Sequence, residues 1–97
     1  MDLKVLLLNI EMPSMIQNYK LVDAGTGNSL LLTYSPNNSP DFNNYKIHIG
    51  TESGVYDTVL TTTDTIFTVV GLTEGNLYYV GISVLDQDGF ESLIIEY

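Results

Sequence analysis

Residues 77–85 read Leu-Tyr-Tyr-Val-Gly-Ile-Ser-Val-Leu and form the longest strand-like stretch of the chain. Every second position from residue 78 onward is apolar: Tyr78, Val80, Ile82 and Val84. Successive side chains of a strand point to opposite faces, so this pattern predicts a strand with one face on a core. A corner over residues 72–76 precedes the stretch, and the turn 86–89, Asp-Gln-Asp-Gly, follows it.

Similar stretches recur along the chain, and none of them shows a sustained helical period. Seven follow Pro13, at residues 19–22, 29–34, 45–49, 55–60, 65–70, 77–85 and 93–97. They are rich in Val, Ile, Thr, Tyr and Phe, and clusters of Gly, Pro, Asn or Asp separate them. This spacing is typical of an all-β sandwich or barrel. The longest polar interruption, residues 35–44, is predicted to be a loop.

Composition limits the size of the fold and the kinds of partner. Ninety-seven residues fit a single domain. Three lysines against 12 acids give a net charge of -9, which argues against nucleic acid and against an anionic membrane surface. The chain has no cysteine, so it has no disulfide, thiolate metal site or cysteine nucleophile. Its longest apolar run, Val5–Leu8, is far below the roughly 20 residues that insertion across a bilayer requires.

Three segments carry a resemblance to a known family. They are Asn28-Ser29-Leu30-Leu31-Leu32-Thr33-Tyr34, residues 45–56 (YKIHIGTESGVY) and residues 71–78 (GLTEGNLY), followed by the loop 86–92 (DQDGFES). In this order they resemble a fibronectin type III domain, which implies a seven-stranded immunoglobulin-like β-sandwich over residues 13–97. Tyr34 stands where the family usually has tryptophan, and Glu74 where it usually has proline.

The resemblance implies a structural tyrosine corner formed by Leu72, Gly75 and Tyr78. The phenol of Tyr78 would reach a backbone group a few residues upstream while its ring fills the core. We expect the core to contain Leu30, Leu32, Tyr34, Tyr45, Ile47, Ile49, Phe67, Val69, Leu72, Tyr78, Val80, Ile82 and Val84.

Residues 1–12 lie outside the resemblance, as an N-terminal extension or an added edge strand. Their apolar part, Leu3–Ile10, would be an aggregation hazard if it were exposed. It therefore pairs with the sheet of its own sandwich, packs on a neighbouring domain, or joins a second copy of the chain as a homodimer.

The sequence predicts no catalytic residue, no cofactor site and no metal site. The single histidine, His48, is interpreted as a partly exposed strand residue, and nearby Glu52 and Ser53 lack the strained nucleophile turn of a hydrolase. The carboxylates of Asp86, Asp88 and Glu91 are interpreted as a solvated turn, with calcium binding by residues 86–91 left open.

We therefore expect a non-catalytic accessory, spacer or protein-interaction domain of a larger protein. The family resemblance implies a secreted or cell-surface location. The alternative is a carbohydrate- or protein-recognition module that binds through the loops 35–44 and 86–91, with Phe42 and Phe90 as candidate partner-binding residues.

Overall fold

A computed structural model describes residues 13–25 and 27–96 of the chain, and these residues form two antiparallel sheets. The strands are β1 (Lys20–Asp23), β2 (Leu30–Thr33), β3 (Phe42–Gly50), β4 (Thr58–Thr62), β5 (Ile66–Val69), β6 (Tyr79–Asp86) and β7 (Ile95–Glu96). The predicted seven-stranded sandwich is confirmed. The N-terminal edge strand expected within residues 1–12 falls outside the described residues.

The first sheet has the order β1-β2-β5 and the second has the order β4-β3-β6-β7. The part of the chain that the structure describes contains no helix long and apolar enough to cross a membrane.

The core lies between the sheets and is built from the alternate positions of the central strands. Leu32 of β2, Ile47 of β3 and Ile82 of β6 have no exposed surface. Burying a side chain of this size contributes about 1.5–3 kcal/mol. Every residue expected in the core is either buried in this cluster or partly buried and packed against it.

Strand ends differ from the sequence prediction where local geometry overrides alternation. Strand β3 begins at Phe42 rather than at residue 45, because Phe42 pairs with Asp86 across a register shift. Strand β4 begins at Thr58 rather than at residue 55, because Val55 closes a tight turn with Glu52. Residues 35–44 are therefore only partly a loop.

Ile16 belongs to the core although its surroundings are polar, and the sequence prediction missed it. It is 7% exposed, as part of the same cluster as Leu32. Asn18, between Ile16 and Tyr19, has a positive φ of 56°. Such a residue changes the phase of the alternation. Ile16 and Tyr19 therefore both contact the core although they are three positions apart.

The two ends of the described chain leave the sandwich in different places. The segment 13–17 lies beside the β2–β3 loop, where Ser35 N donates to Gln17 O at 3.0 Å. Residues 34–41 and 86–91 form this end of the sandwich, which we call the hairpin pole. Glu96 lies at the opposite end, beside the β3–β4 turn over residues 51–57, which we call the far pole.

Candidate functional site

The corner before β6 places Tyr78 in contact with the backbone upstream. The amide of Thr73 donates a hydrogen bond of 2.9 Å to the Tyr78 hydroxyl, and that bond lowers the pKa of Tyr78. Gly75 has a φ of +89°, a conformation that glycine adopts without steric cost. Leu72 is partly buried against the core, and its amide donates to Asn28 O at 3.0 Å. These contacts support a structural role for the corner.

The outer face of the second sheet carries a buried polar cluster. His48 is 6% exposed, so its interpretation as a partly exposed residue was wrong. Its Nε2 lies 2.9 Å from Ser83 Oγ and 3.4 Å from Glu91 Oε2. Glu91 in turn accepts a 3.0 Å hydrogen bond from Lys46 Nζ. Desolvation lowers the pKa of His48, although the charge of Glu91 opposes that effect.

This cluster contains the residue types of a catalytic triad without its geometry. In a triad the histidine contacts the serine through one ring nitrogen and the carboxylate through the other. Here Ser83 and Glu91 face the same nitrogen of His48. Ser83 is fully buried, and its hydroxyl donates to Glu91 Oε2 at 2.7 Å. The serine is therefore a bridging hydroxyl and not an accessible nucleophile.

The pKa of Glu91 is lowered by the same contacts. Burial alone would raise its pKa, but the hydrogen bonds from Ser83 and Lys46 and the positive charge of Lys46 outweigh that effect. The carboxylate of Glu91 therefore stays ionised. Its contacts with Lys46 and His48 connect the segment after β6 to the outer face of β3, which is a structural role.

A second polar cluster holds the last strand at the far pole. Glu96 accepts hydrogen bonds from Ser53 Oγ at 2.5 Å, from Gly54 N at 3.0 Å and from the Tyr56 hydroxyl. The hydrogen bond from Ser53, followed by that from Tyr56, lowers the pKa of Glu96. Burial, followed by the hydrogen bond to Glu96, raises the pKa of Tyr56 to about 12. The phenol therefore stays neutral and able to donate while the carboxylate stays ionised, which suits a strong charge-assisted hydrogen bond.

The hairpin pole is organised by one buried carboxylate. Asp86 is 3% exposed, and its Oδ1 accepts from Asp88 N at 3.0 Å and from Phe90 N at 2.9 Å. Its own amide donates to Phe90 O at 2.9 Å. Asp86 is therefore a structural part of the turn and not one of its solvated side chains.

The acidic residues of the hairpin group differently from the sequence expectation. Glu91 faces Lys46 and His48, whereas Asp41 joins Asp86 and Asp88. One carboxylate oxygen of each of these three aspartates lies within 4.8 Å of the others. Asp41 already accepts from Ser39 Oγ, and Asp86 from two amides. Part of their hydrogen-bonding capacity is thus used within the fold.

The two loops of the recognition alternative lie side by side at the hairpin pole. Gln87 N donates to Asp41 O at 2.8 Å, and Gln87 Nε2 donates to Phe42 O at 3.3 Å. Beside them lies a groove of about 470 Å³, lined by Pro13, Ser14, Met15, Ile16, Gln17, Ser35, Pro36, Asn37, Asn38, Ser39, Asp41 and Asp86.

Neither candidate partner-binding aromatic is a free surface group. Phe42 is half-buried against the core, with its ring centroid 4.7 Å from that of Tyr45. Phe90 is half-buried in the turn that Asp86 organises. None of the aromatic side chains within residues 13–25 and 27–96 is fully exposed.

Sequence reasoning did not predict that Tyr56 and Ile94 cover part of the outer face of the second sheet. The one available signal of this cover is Gly81, in the middle of the predicted strand 77–85, because such a glycine often marks a close approach. A Cβ atom there would lie 2.5 Å from Ile94 Cγ2 and 3.1 Å from the Tyr56 hydroxyl oxygen. The missing side chain makes room for Tyr56, whose ring centroid lies 5.3 Å from that of His48.

Two sheets of three and four strands, with a corner tyrosine bound to the backbone, define an immunoglobulin-like sandwich module. The chain belongs to the fibronectin type III domain family, and the sequence model of that family matches residues 14–96. No curated protein sequence matched the chain.

Solved structures show the same fold. A Fn3-like protein from Clostridium thermocellum is 30% identical, with a TM-score of 0.74 over 89% of this chain and 90% of that one. The fn3 domain of human collagen alpha-1(XX) chain is 19% identical, with a TM-score of 0.73 over 90% and 83%. The Clostridium perfringens spore cortex lytic enzyme SleM is 21% identical, with a TM-score of 0.67. That match covers 88% of this chain but 27% of SleM.

Proposed function

We propose that this domain is a non-catalytic spacer and interaction module of a larger secreted or cell-surface protein. Domains of this family are generally non-catalytic modules for spacing or protein interaction. One observation carries the spacer role, namely the places on the sandwich where the described residues begin and end. The described chain begins beside the hairpin pole and ends at the far pole, where three donors hold Glu96.

The polar clusters of the domain support the same assignment. His48, Ser83 and Glu91 bind one another, and Asp86 binds the amides of its own turn. These groups would be the candidates for chemistry, and their contacts instead join strands. The part of SleM that matches this chain lies within a larger lytic enzyme. By analogy, we propose a position beside a hydrolase for this domain.

Domain replacement in the parent polypeptide tests this function. One variant substitutes an unrelated β-sandwich of similar length, and the other substitutes a flexible Gly/Ser linker. A spacer predicts that the sandwich preserves the activity of the parent and that the linker reduces it. Loss of activity with both replacements would show that a specific interaction surface is required. Full activity with both would contradict the proposal.

The alternative function is recognition of a protein or carbohydrate at the hairpin pole. The observation in its favour is the groove beside the β2–β3 loop, which polar groups of Asn37, Asn38 and Ser39 line. Phe42→Ala is a poor test because Phe42 packs on the core. Phe90→Ala and Asn38→Ala are better, with the urea midpoint as the control for folding. Loss of binding at an unchanged midpoint would favour recognition over spacing.

A further inference from the structure

The two sides of the sandwich differ in how their edge strands are protected. On one side, β1 carries Lys20 and Asp23, and β7 carries Glu96. On the other side, β4 and β5 contain no charged residue and no proline. An uncharged edge offers unpaired backbone groups to another strand, and charges or proline normally prevent that pairing.

An apolar groove of about 260 Å³ lies between these two uncharged edges. Ile49, Leu60, Val69 and Leu72 contribute to its lining. Leu60 lies on β4 opposite the core residue Ile47, and it is 39% exposed. A strand added to β4 would satisfy backbone groups, cover Leu60 and direct every second side chain toward the groove.

We propose that residues Leu3–Ile10 of a second copy of the chain pair with β4 as an added strand. This inference rests on the proposed function and specifies one partner of the interaction module. The segment has no acidic residue and one cation, Lys4, among mostly aliphatic side chains. Asp57 and Asp64 flank β4, and both are exposed. The acceptor edge is uncharged, carries Val59 and Leu60 among three threonines and has acids at its ends, and the segment brings aliphatic side chains and one cation to it.

The connection to the described chain favours a second copy over the same one. Only Glu11 and Met12 separate Ile10 from Pro13, and two linking residues span about 10 Å. The segment after Pro13 leads into β1, two strands away from β5 in the first sheet, whereas β4 is an edge of the second. Strand β1 is therefore separated from β4 by two interstrand spacings, which together measure about 10 Å, and by the gap of about 10 Å between the sheets.

Sedimentation and hydrogen exchange on the full chain test the proposal together. We expect a concentration-dependent dimer in which the outward-facing amides of β4 exchange more slowly. Val5→Asp or Leu7→Asp should raise the dissociation constant about tenfold or more, because a charge replaces a buried aliphatic group. Met15→Asp is the matched control, since Met15 is 46% exposed and lies outside the segment. It should leave the dimer unchanged.

A charge exchange identifies the pairing itself. Lys4→Glu should weaken the dimer a few-fold, as expected for an exposed ion pair. Combining Lys4→Glu with Asp57→Lys or with Asp64→Lys should restore the affinity of the dimer. Because these two acids flank opposite ends of β4, the combination that restores the affinity shows the direction of the added strand.

Three outcomes would overturn the proposal. One is a monomer at every concentration with freely exchanging β4 amides, and another is a dimer that Val5→Asp does not affect. The third is a monomer whose β4 protection disappears with Val5→Asp, which would place the segment on its own sandwich. The domain-replacement result does not depend on dimerisation, so each hypothesis fails separately.

Discussion

The hydroxyl of Tyr56 lies over Gly81, where an added Cβ atom would approach its oxygen to 3.1 Å. The same hydroxyl donates to Glu96 on the last strand. A loop residue thus crosses the outer face of the second sheet and binds β7, and the glycine beneath it makes this possible. The sequence alternation indicates that this outer face is solvated, but in the structure it carries the contacts that join the β3–β4 turn to β7.

Replacing Gly81 tests this packing. In Gly81→Ala the new methyl group displaces Ile94 and presses on Tyr56, so we expect a loss of about 1–3 kcal/mol in the free energy of unfolding. Gly50→Ala should cost more, because its Cβ would lie 2.0 Å from the backbone oxygen of Val55. Backbone cannot move aside as a side chain can. Urea denaturation measures both values, and an equal or reversed order would contradict this packing.

The buried histidine predicts a loss of stability on mild acidification. Lys46, Glu91 and Tyr56 face His48, and burial holds its folded-state pKa below the ordinary 6.5. The unfolded chain therefore binds the proton first. The free energy of unfolding should fall as the pH drops from 7 through 6.5 and toward the folded-state pKa, by at most about 1.4 kcal/mol per pH unit for one proton.

His48→Gln is the matched variant for this pH dependence, since an amide can still bond to Ser83. Its stability should vary less between pH 7 and pH 5 than that of the unsubstituted chain. Glu91, with a pKa lowered from 4.5, contributes stability that is lost only at lower pH, so the two effects separate. Identical pH profiles for the two proteins would contradict the assignment to His48.

The corner tyrosine should stabilise the domain through its hydroxyl. Tyr78→Phe leaves the amide of Thr73 without its acceptor, so the urea midpoint should fall. Tyr79→Phe is the matched control on the adjacent residue, which is also half-buried. A midpoint that falls no further for Tyr78→Phe than for Tyr79→Phe would remove the energetic basis of the corner.

The hairpin pole should depend on Asp86 and not on its neighbour. Asp86→Ala removes the acceptor of two amides in a buried setting, so we expect a loss of about 1–3 kcal/mol. Asp88 is exposed, and Asp88→Ala should change the free energy of unfolding by less than about 0.5 kcal/mol. Equal losses at the two positions, measured by urea denaturation, would point to a role for the carboxylate pair that the turn geometry does not explain.

The fold was predictable because its central strands alternate regularly over residues 45–49 and 78–84. The alternating residues Tyr45, Ile47 and Ile49 of β3 and Val80, Ile82 and Val84 of β6 all lie in the core, as the pattern requires. Ile16 was not predictable, because the positive φ of Asn18 changes the phase between Ile16 and Tyr19. A backbone conformation of that kind has no clear signature in the residue types around it.

The polar clusters were unpredictable for a different reason. Their members are distant in sequence: Glu91 lies 45 residues from Lys46, and Glu96 lies 40 from Tyr56. Alternation tells which face a side chain takes, but not what covers that face. The sequence therefore indicated the outward direction of His48 correctly and missed its burial.

The spacer role depends on ends that are held at opposite poles, and single-molecule fluorescence measures this most directly. The chain has no cysteine, so Ser14→Cys and Tyr97→Cys allow specific labelling with a dye pair. We predict one narrow distance distribution under native conditions, and a broader one in Glu96→Gln, which weakens the acceptor that holds β7. A broad or two-peaked distribution in the otherwise unsubstituted chain would contradict a rigid spacer.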